Sequence, residues 1–111
     1  MIRLNDLKEI NGITILNKVN TGKTVTGAYT SDLLSDVMAN AEEGSVLITI
    51  QAHLNTIAVA SLCGLPGIIF CSGRNASSEV INAAEKEGIV LFSSRYNQFK
   101  TSMIIGKMLE N

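Results

Sequence analysis

At 111 residues the chain has room for one folded domain. Hydrophobic residues make up 46% and charged residues 17%, against roughly 25% charged in an average globular protein, so a core can form and disorder is excluded as the main state. Nine Lys and Arg against ten Asp and Glu leave a net charge of -1, so no basic field exists to concentrate nucleic acid or anionic lipid.

The first residues, Met1-Ile2-Arg3-Leu4-Asn5-Asp6, bring charge at once and hold no apolar run of signal-peptide or membrane-span length, so a cytoplasmic protein is expected. A short helix is predicted from Asp6 to Ile10, capped by Asn5 and stopped at Asn11-Gly12, and then a strand from Ile13 to Leu16. After a polar loop from Asn17 to Gly22, Lys23 to Tyr29 reads as a second strand, with Gly27 its point of greatest backbone freedom. Ser31 is placed to cap a helix from Asp32 to Ala41, whose apolar stripe is Leu33, Leu34, Val37, Met38 and Ala41. Val46 to Ile50 is a β-branched run suited to a strand covered on both faces, and is the best candidate for a central strand. Asn55 to Cys63 is helical in period but apolar almost all round, which puts it deep in the fold or in a subunit contact, and Gly64 and Pro66 end it. Then follow a strand from Gly67 to Cys71, a helix from Ser78 to Glu87 ended by Gly88, a strand from Ile89 to Phe92 and a helix from Gln98 to Leu109. Such alternation predicts an α/β protein of three layers, with a mostly parallel, mixed sheet of about five strands between helices.

Three motifs invite chemistry and carry little. Thr21-Gly22-Lys23-Thr24 resembles the end of a phosphate-binding loop, but Asn17 stands where the pattern needs Gly, and a strand follows instead of a helix. Asp32 and Asp36, one helical turn apart, can share a metal or supply a base, yet acidic residues near a helix start are already favourable in water. Cys63 and Cys71 lie in apolar sequence and read as small buried hydrophobes rather than a disulfide. With His53 the sole histidine they do not make a zinc site, and no metal or cofactor is expected.

A collective feature says more. After every predicted strand but the first come small polar or charged residues, and in a parallel sheet such strand ends share one edge, where ligands bind at a switch in strand order. The candidate ligand-binding residues are therefore Gly27, Ser31, Asp32, Ser35, Gln51, His53, Asn55, Ser72, Arg74 and Arg95. Arg74 or Arg95 would partner an anion, and helix N-termini at Ser31 and Ser77 would donate to it. The plain alternative is that loops are polar.

The stretch Val25-Thr26-Gly27-Ala28-Tyr29-Thr30-Ser31-Asp32-Leu33-Leu34-Ser35-Asp36-Val37-Met38-Ala39, with Gln51-Ala52-His53-Leu54-Asn55, closely resembles the DRTGG domain family, and the likeness extends over essentially the whole chain. The resemblance implies a single domain over residues 1–111 with a fold like the N-terminal domain of HPr kinase/phosphorylase, which serves elsewhere as a regulatory or dimerisation module. Gly22-Lys23 stand where that family usually has Asp-Arg, and Ala28 replaces a glycine, while Gly27, Ser31, Asp32 and Ser35 match and imply a turn at Gly27 feeding a helix. No catalytic residue comes with the resemblance. The expected function is a non-enzymatic regulatory homodimer that senses a small nucleotide-like or other anionic ligand. The alternatives are a small-molecule enzyme built on His53, Asp32 and Arg74, or an adaptor whose partner is another protein.

Overall fold

The computed structural model describes residues 2–110, so Met1 of the charged N-terminal stretch and Asn111 lie outside it. In chain order the elements are β1 (Ile2–Arg3), α1 (Leu4–Leu7), β2 (Ile13–Ile15), β3 (Thr24–Val25), β4 (Gly27–Thr30), α2 (Leu34–Asn40), β5 (Ser45–Thr49), α3 (Leu54–Cys63), β6 (Gly67–Phe70), α4 (Ser78–Lys86), β7 (Val90–Ser94) and α5 (Gln98–Glu110). Five strands form one mixed sheet in the order β2-β7-β6-β5-β4, parallel except for β2, while β1 and β3 make a separate antiparallel pair.

Side chains alternate across the strands and so divide between two cores. Leu47, Ile68, Phe70 and Leu91 face one way and are covered by Val37 of α2, Ile57 and Ala60 of α3, and Val80 and Ala84 of α4. Val46, Ile48, Ile69, Val90 and Phe92 face the other way, against Leu4 and Leu7 of α1, Val25 of β3 and Ile105 of α5. This is the three-layer arrangement that the alternation predicts. The run Ser45–Thr49 is buried at every position, as a strand with neighbours on both edges and helices on both faces must be.

Four local expectations are corrected. The first helix starts at Leu4 rather than Asp6, because that frame buries Leu4 and Leu7 completely and lets the Asp6 carboxylate accept from the Arg3 amide at 2.9 Å. Lys23 to Tyr29 is two strands, with Val25 opposite Ile2 and Gly27 opposite Ser45 in different sheets. Gly27 thus opens a strand, its φ is not positive, and what favours a glycine is space, since a Cβ there would stand 3.2 Å from Ser45 Oγ. The helix expected from Asp32 begins at Leu34 with Leu33 as its N-cap residue, so Ser31 does not cap it; the Ser31 hydroxyl accepts instead from the Leu33 amide at 3.1 Å. Asn17, expected in a polar loop, is buried: its amide donates to Ile89 O at 2.9 Å and its carbonyl accepts from Leu91 N at 3.0 Å, a side chain standing in for a strand neighbour.

Candidate functional site

The parallel strands β4 to β7 stand in sequential order, so the three crossovers between them bring α2, α3 and α4 to one face. No reversal of order separates these strands, so the edge at their carboxyl ends lacks the switch point expected from the sequence. Gly27, at the amino end of β4, lies on the opposite edge and leaves the candidate set. The other nine candidates follow the ends of β4, β5, β6 and β7 and fall into three groups.

The first group is a hub on Asp32. Its Oδ1 accepts from Thr49 Oγ1 at 2.9 Å, the Ile50 amide at 2.9 Å and Gln98 Nε2 at 3.0 Å, so one carboxylate ties the end of β4 to the end of β5 and the start of α5. Gln51 joins through its amide, which donates to Thr49 Oγ1 at 3.1 Å. Ser35 is exposed on the first turn of α2. Near the hub, burial pushes the pKa of the Cys71 thiol upward from its ordinary value and the Asp32 charge adds to that.

The second group lines a cleft of about 400 Å³ between the first turns of α3 and α4, walled by Ala52, His53, Leu54, Asn55, Ser77, Glu79 and Val80. His53 is the N-cap residue of α3, and its side chain does not cap the helix. Ser77 caps α4 as expected, with its hydroxyl accepting from the Val80 amide at 3.3 Å. The cleft therefore meets two helix N-termini, where backbone amides and the helix dipoles favour negative charge.

The third group is the turn after β6 and the segment after β7. Ser72 has a φ of 59° and its amide donates to Tyr96 O at 2.7 Å, while Gly73 N donates to Ser94 O at 2.8 Å, which pins this turn against the end of β7. Arg74 is exposed there. Arg95 is committed elsewhere: its guanidinium lies 5.1 Å from the Tyr96 ring centre and donates to the Tyr96 hydroxyl at 3.1 Å. Among the described residues no hydrogen bond joins His53, Asp32 and Arg74 to one another, and no group of His, Cys, Asp or Glu is placed to hold a metal.

The pair Asp32 and Asp36 is separated by these contacts. Asp36 accepts from the Tyr29 hydroxyl at 2.8 Å and from Asn40 Nδ2 at 2.9 Å, and the hydrogen bond from Tyr29, with those of Ser31 and Asn40, holds its carboxyl below the usual range. Sequence reading missed Gln98, Thr49 and Glu79. The first reaches Asp32 across 66 positions of chain, and no local pattern announces such a contact.

The whole defines a three-layer α/β fold of consecutive βαβ units with a polar edge at the strand carboxyl ends. The DRTGG domain profile matches residues 8–108, and the chain belongs to the DRTGG domain family. Among curated proteins none matches the sequence significantly. Among solved structures, the fold is similar to the regulatory region of a Clostridium perfringens pyrophosphatase, comprising CBS and DRTGG domains complexed with its activator diadenosine tetraphosphate. The TM-score is 0.69 at 21% identity over 92% of this chain, which spans 45% of the length of that one. Among the described residues no helix is long and apolar enough to cross a membrane.

Proposed function

We propose that the chain is a non-enzymatic regulatory module, folded as one DRTGG-type domain, that senses a small nucleotide-like or other anionic ligand and works as a cytoplasmic homodimer. The observation that carries this reading is the cleft of about 400 Å³ in which His53 and Asn55 stand at the first turn of α3 facing Ser77 at the first turn of α4. Two helix N-termini converging on one polar cleft suit a phosphate-bearing ligand. Arg74, exposed after β6, is a cation on the same edge. The nucleotide activator of the similar pyrophosphatase region supports the choice of ligand class. The Asp32 carboxylate spends one oxygen on three structural donors, which favours a binding role for the edge over a catalytic centre built on His53, Asp32 and Arg74.

The test is native mass spectrometry of the fresh protein followed by calorimetric titration with ATP, diadenosine tetraphosphate and inorganic phosphate. Binding is expected for a phosphate-bearing probe, with His53→Ala and Arg74→Ala each weakening it about tenfold, the loss of one charge-assisted contact. Affinity that is unchanged in both variants, or no binding of any probe at millimolar concentration, would sink the reading.

A further inference from the structure

The cleft at the first turns of α3 and α4 does not stand alone. Leu54 walls it and also lines a groove of about 370 Å³ that runs on between the two helices, over Ile57, Ala58 and Ala83, to Lys86 and Glu87. The two spaces differ in chemistry. His53, Asn55, Ser77 and Glu79 stand around the cleft, whereas the groove is floored by aliphatic carbon and carries its charged groups at the far end. There Glu87 Oε1 accepts from Ser61 Oγ at 3.0 Å, which leaves Oε2 to accept from something else. Among the described residues no hydrogen bond or ion pair engages the Lys86 ammonium. Leu54 and Ala58 are exposed, so the groove is open from outside.

A ligand that is only an anion does not match this surface. Glu79 sets a carboxylate on the wall of the cleft, which repels a bare phosphate but accepts from hydroxyl groups beside one. The adjoining groove offers apolar contact to something that is not charged. Its two alanines, one from each helix, leave room for a planar ring, and the Lys86 stem and ammonium can lie over the face of that ring. From Leu54 to Ser61, beside Glu87, α3 rises about 10 Å, comparable with the distance from phosphate to base edge in a nucleoside monophosphate. We propose that the groove is a base subsite continuous with the cleft, and that the ligand it takes is an adenine nucleotide. The phosphate then lies among His53, Asn55 and Ser77, the ribose hydroxyls donate to Glu79, and the adenine ring packs on Leu54, Ala58 and Ala83. At the far end the exocyclic amine donates to Glu87 Oε2. Adenine suits this end because it joins a broad apolar face to an amine at its edge, so the carboxylate gains a donor without a second charge being buried.

This inference rests on the anion-sensing reading above and adds the part of the ligand that the cleft alone does not select. Calorimetric titration of the full chain with adenosine monophosphate and with ribose 5-phosphate tests it, because the two probes carry the same phosphate and differ by the base. Adenosine monophosphate is expected to bind about tenfold or more tightly than ribose 5-phosphate. Ala58→Phe, which fills the groove from an exposed position, and Lys86→Ala are each expected to remove most of that difference and to leave the affinity for ribose 5-phosphate as it is in the wild type. Equal affinity of the wild type for the two probes, or a preference for the nucleotide that survives Ala58→Phe, overturns the base subsite and leaves the anion reading standing. Loss of both probes in Ala58→Phe and Lys86→Ala alike overturns the division of the site into two parts. Binding of neither probe by the wild type at millimolar concentration overturns the anion reading and this inference with it.

Discussion

Asp32 shows how much one side chain can organise in a small protein. Its Oδ1 draws a hydroxyl, a backbone amide and a side-chain amide from three separate segments, and removing it leaves those donors short of a partner in a half-buried place. Asp32→Ala should therefore cost about 1–3 kcal/mol, and Asp32→Asn, which keeps an acceptor oxygen, less than that. Urea unfolding of the two variants checks the order. Asp36 offers a pH test. Because its carboxyl ionises below the ordinary value of 3.8 in the native state, its contribution to stability is present above that value and is lost as pH falls through the native pKa. Its partner Tyr29 is shifted up from 10.0, chiefly by the hydrogen bond to Asp36, so the same pair is weakened again as pH rises through the native tyrosine pKa. Asp36→Asn should flatten the acid limb of a stability-against-pH curve. An unchanged limb below pH 3.8 would show that the carboxylate has the same pKa folded and unfolded.

Elements in this chain are fixed by what they bury more than by their local signals. The helix at Leu4–Leu7 and the split between β3 and β4 both ignore a reasonable sequence reading, because Leu4, Leu7 and Val25 are fully buried only in the observed frame. The tightest of these contacts joins β6 to α1. A Cβ on Gly67 would stand 2.6 Å from Leu4 Cδ2 and 3.3 Å from Val90 O, and the fully buried Leu4 has little room to yield. Gly67→Ala should destabilise the protein by about 1–3 kcal/mol, and pairing it with Leu4→Ala should cost less than the sum of the two changes. Additive losses in thermal or urea unfolding would disprove the contact. By contrast β5, α3, β6, α4 and α5 were readable to within a residue or so, since continuous apolar runs and the glycines at Gly64 and Gly88, with φ of 69° at both, mark them plainly.

Across the whole molecule, the layer architecture and the polar edge were legible because alternating strands and helices leave few ways to bury every apolar face. The position after strand ends was legible for Ser31, Asp32, Ser35, Gln51, His53, Asn55, Ser72, Arg74 and Arg95, while Gly27 was placed at the wrong end of its strand, because that depended on where one strand stops and another begins. What joins distant segments was not legible. Nothing near Asp32 names Gln98, nothing near Asn17 names the backbone of Ile89 and Leu91, and the way the loop after β6 closes on Ser94 and Tyr96 depends on strand order.

The position of β2 has a consequence for the order in which the chain is made. Its partner is β7, with Ile13 opposite Ser94 and Ile15 opposite Phe92, and the Asn17 amide waits for Ile89 and Leu91 as well. The first strand of the main sheet to leave the ribosome therefore has no edge to join until the last one has emerged, and the face of β4 and β5 that α5 covers stays open longer still. Strands β4 to β6 with α2 and α3 can assemble from neighbouring pieces of chain while the N-terminal segment remains unpaired. Closure of the molecule is then a late event at both ends, and synthesis that stalls before Val90 leaves the half-built sheet with an exposed edge at β6.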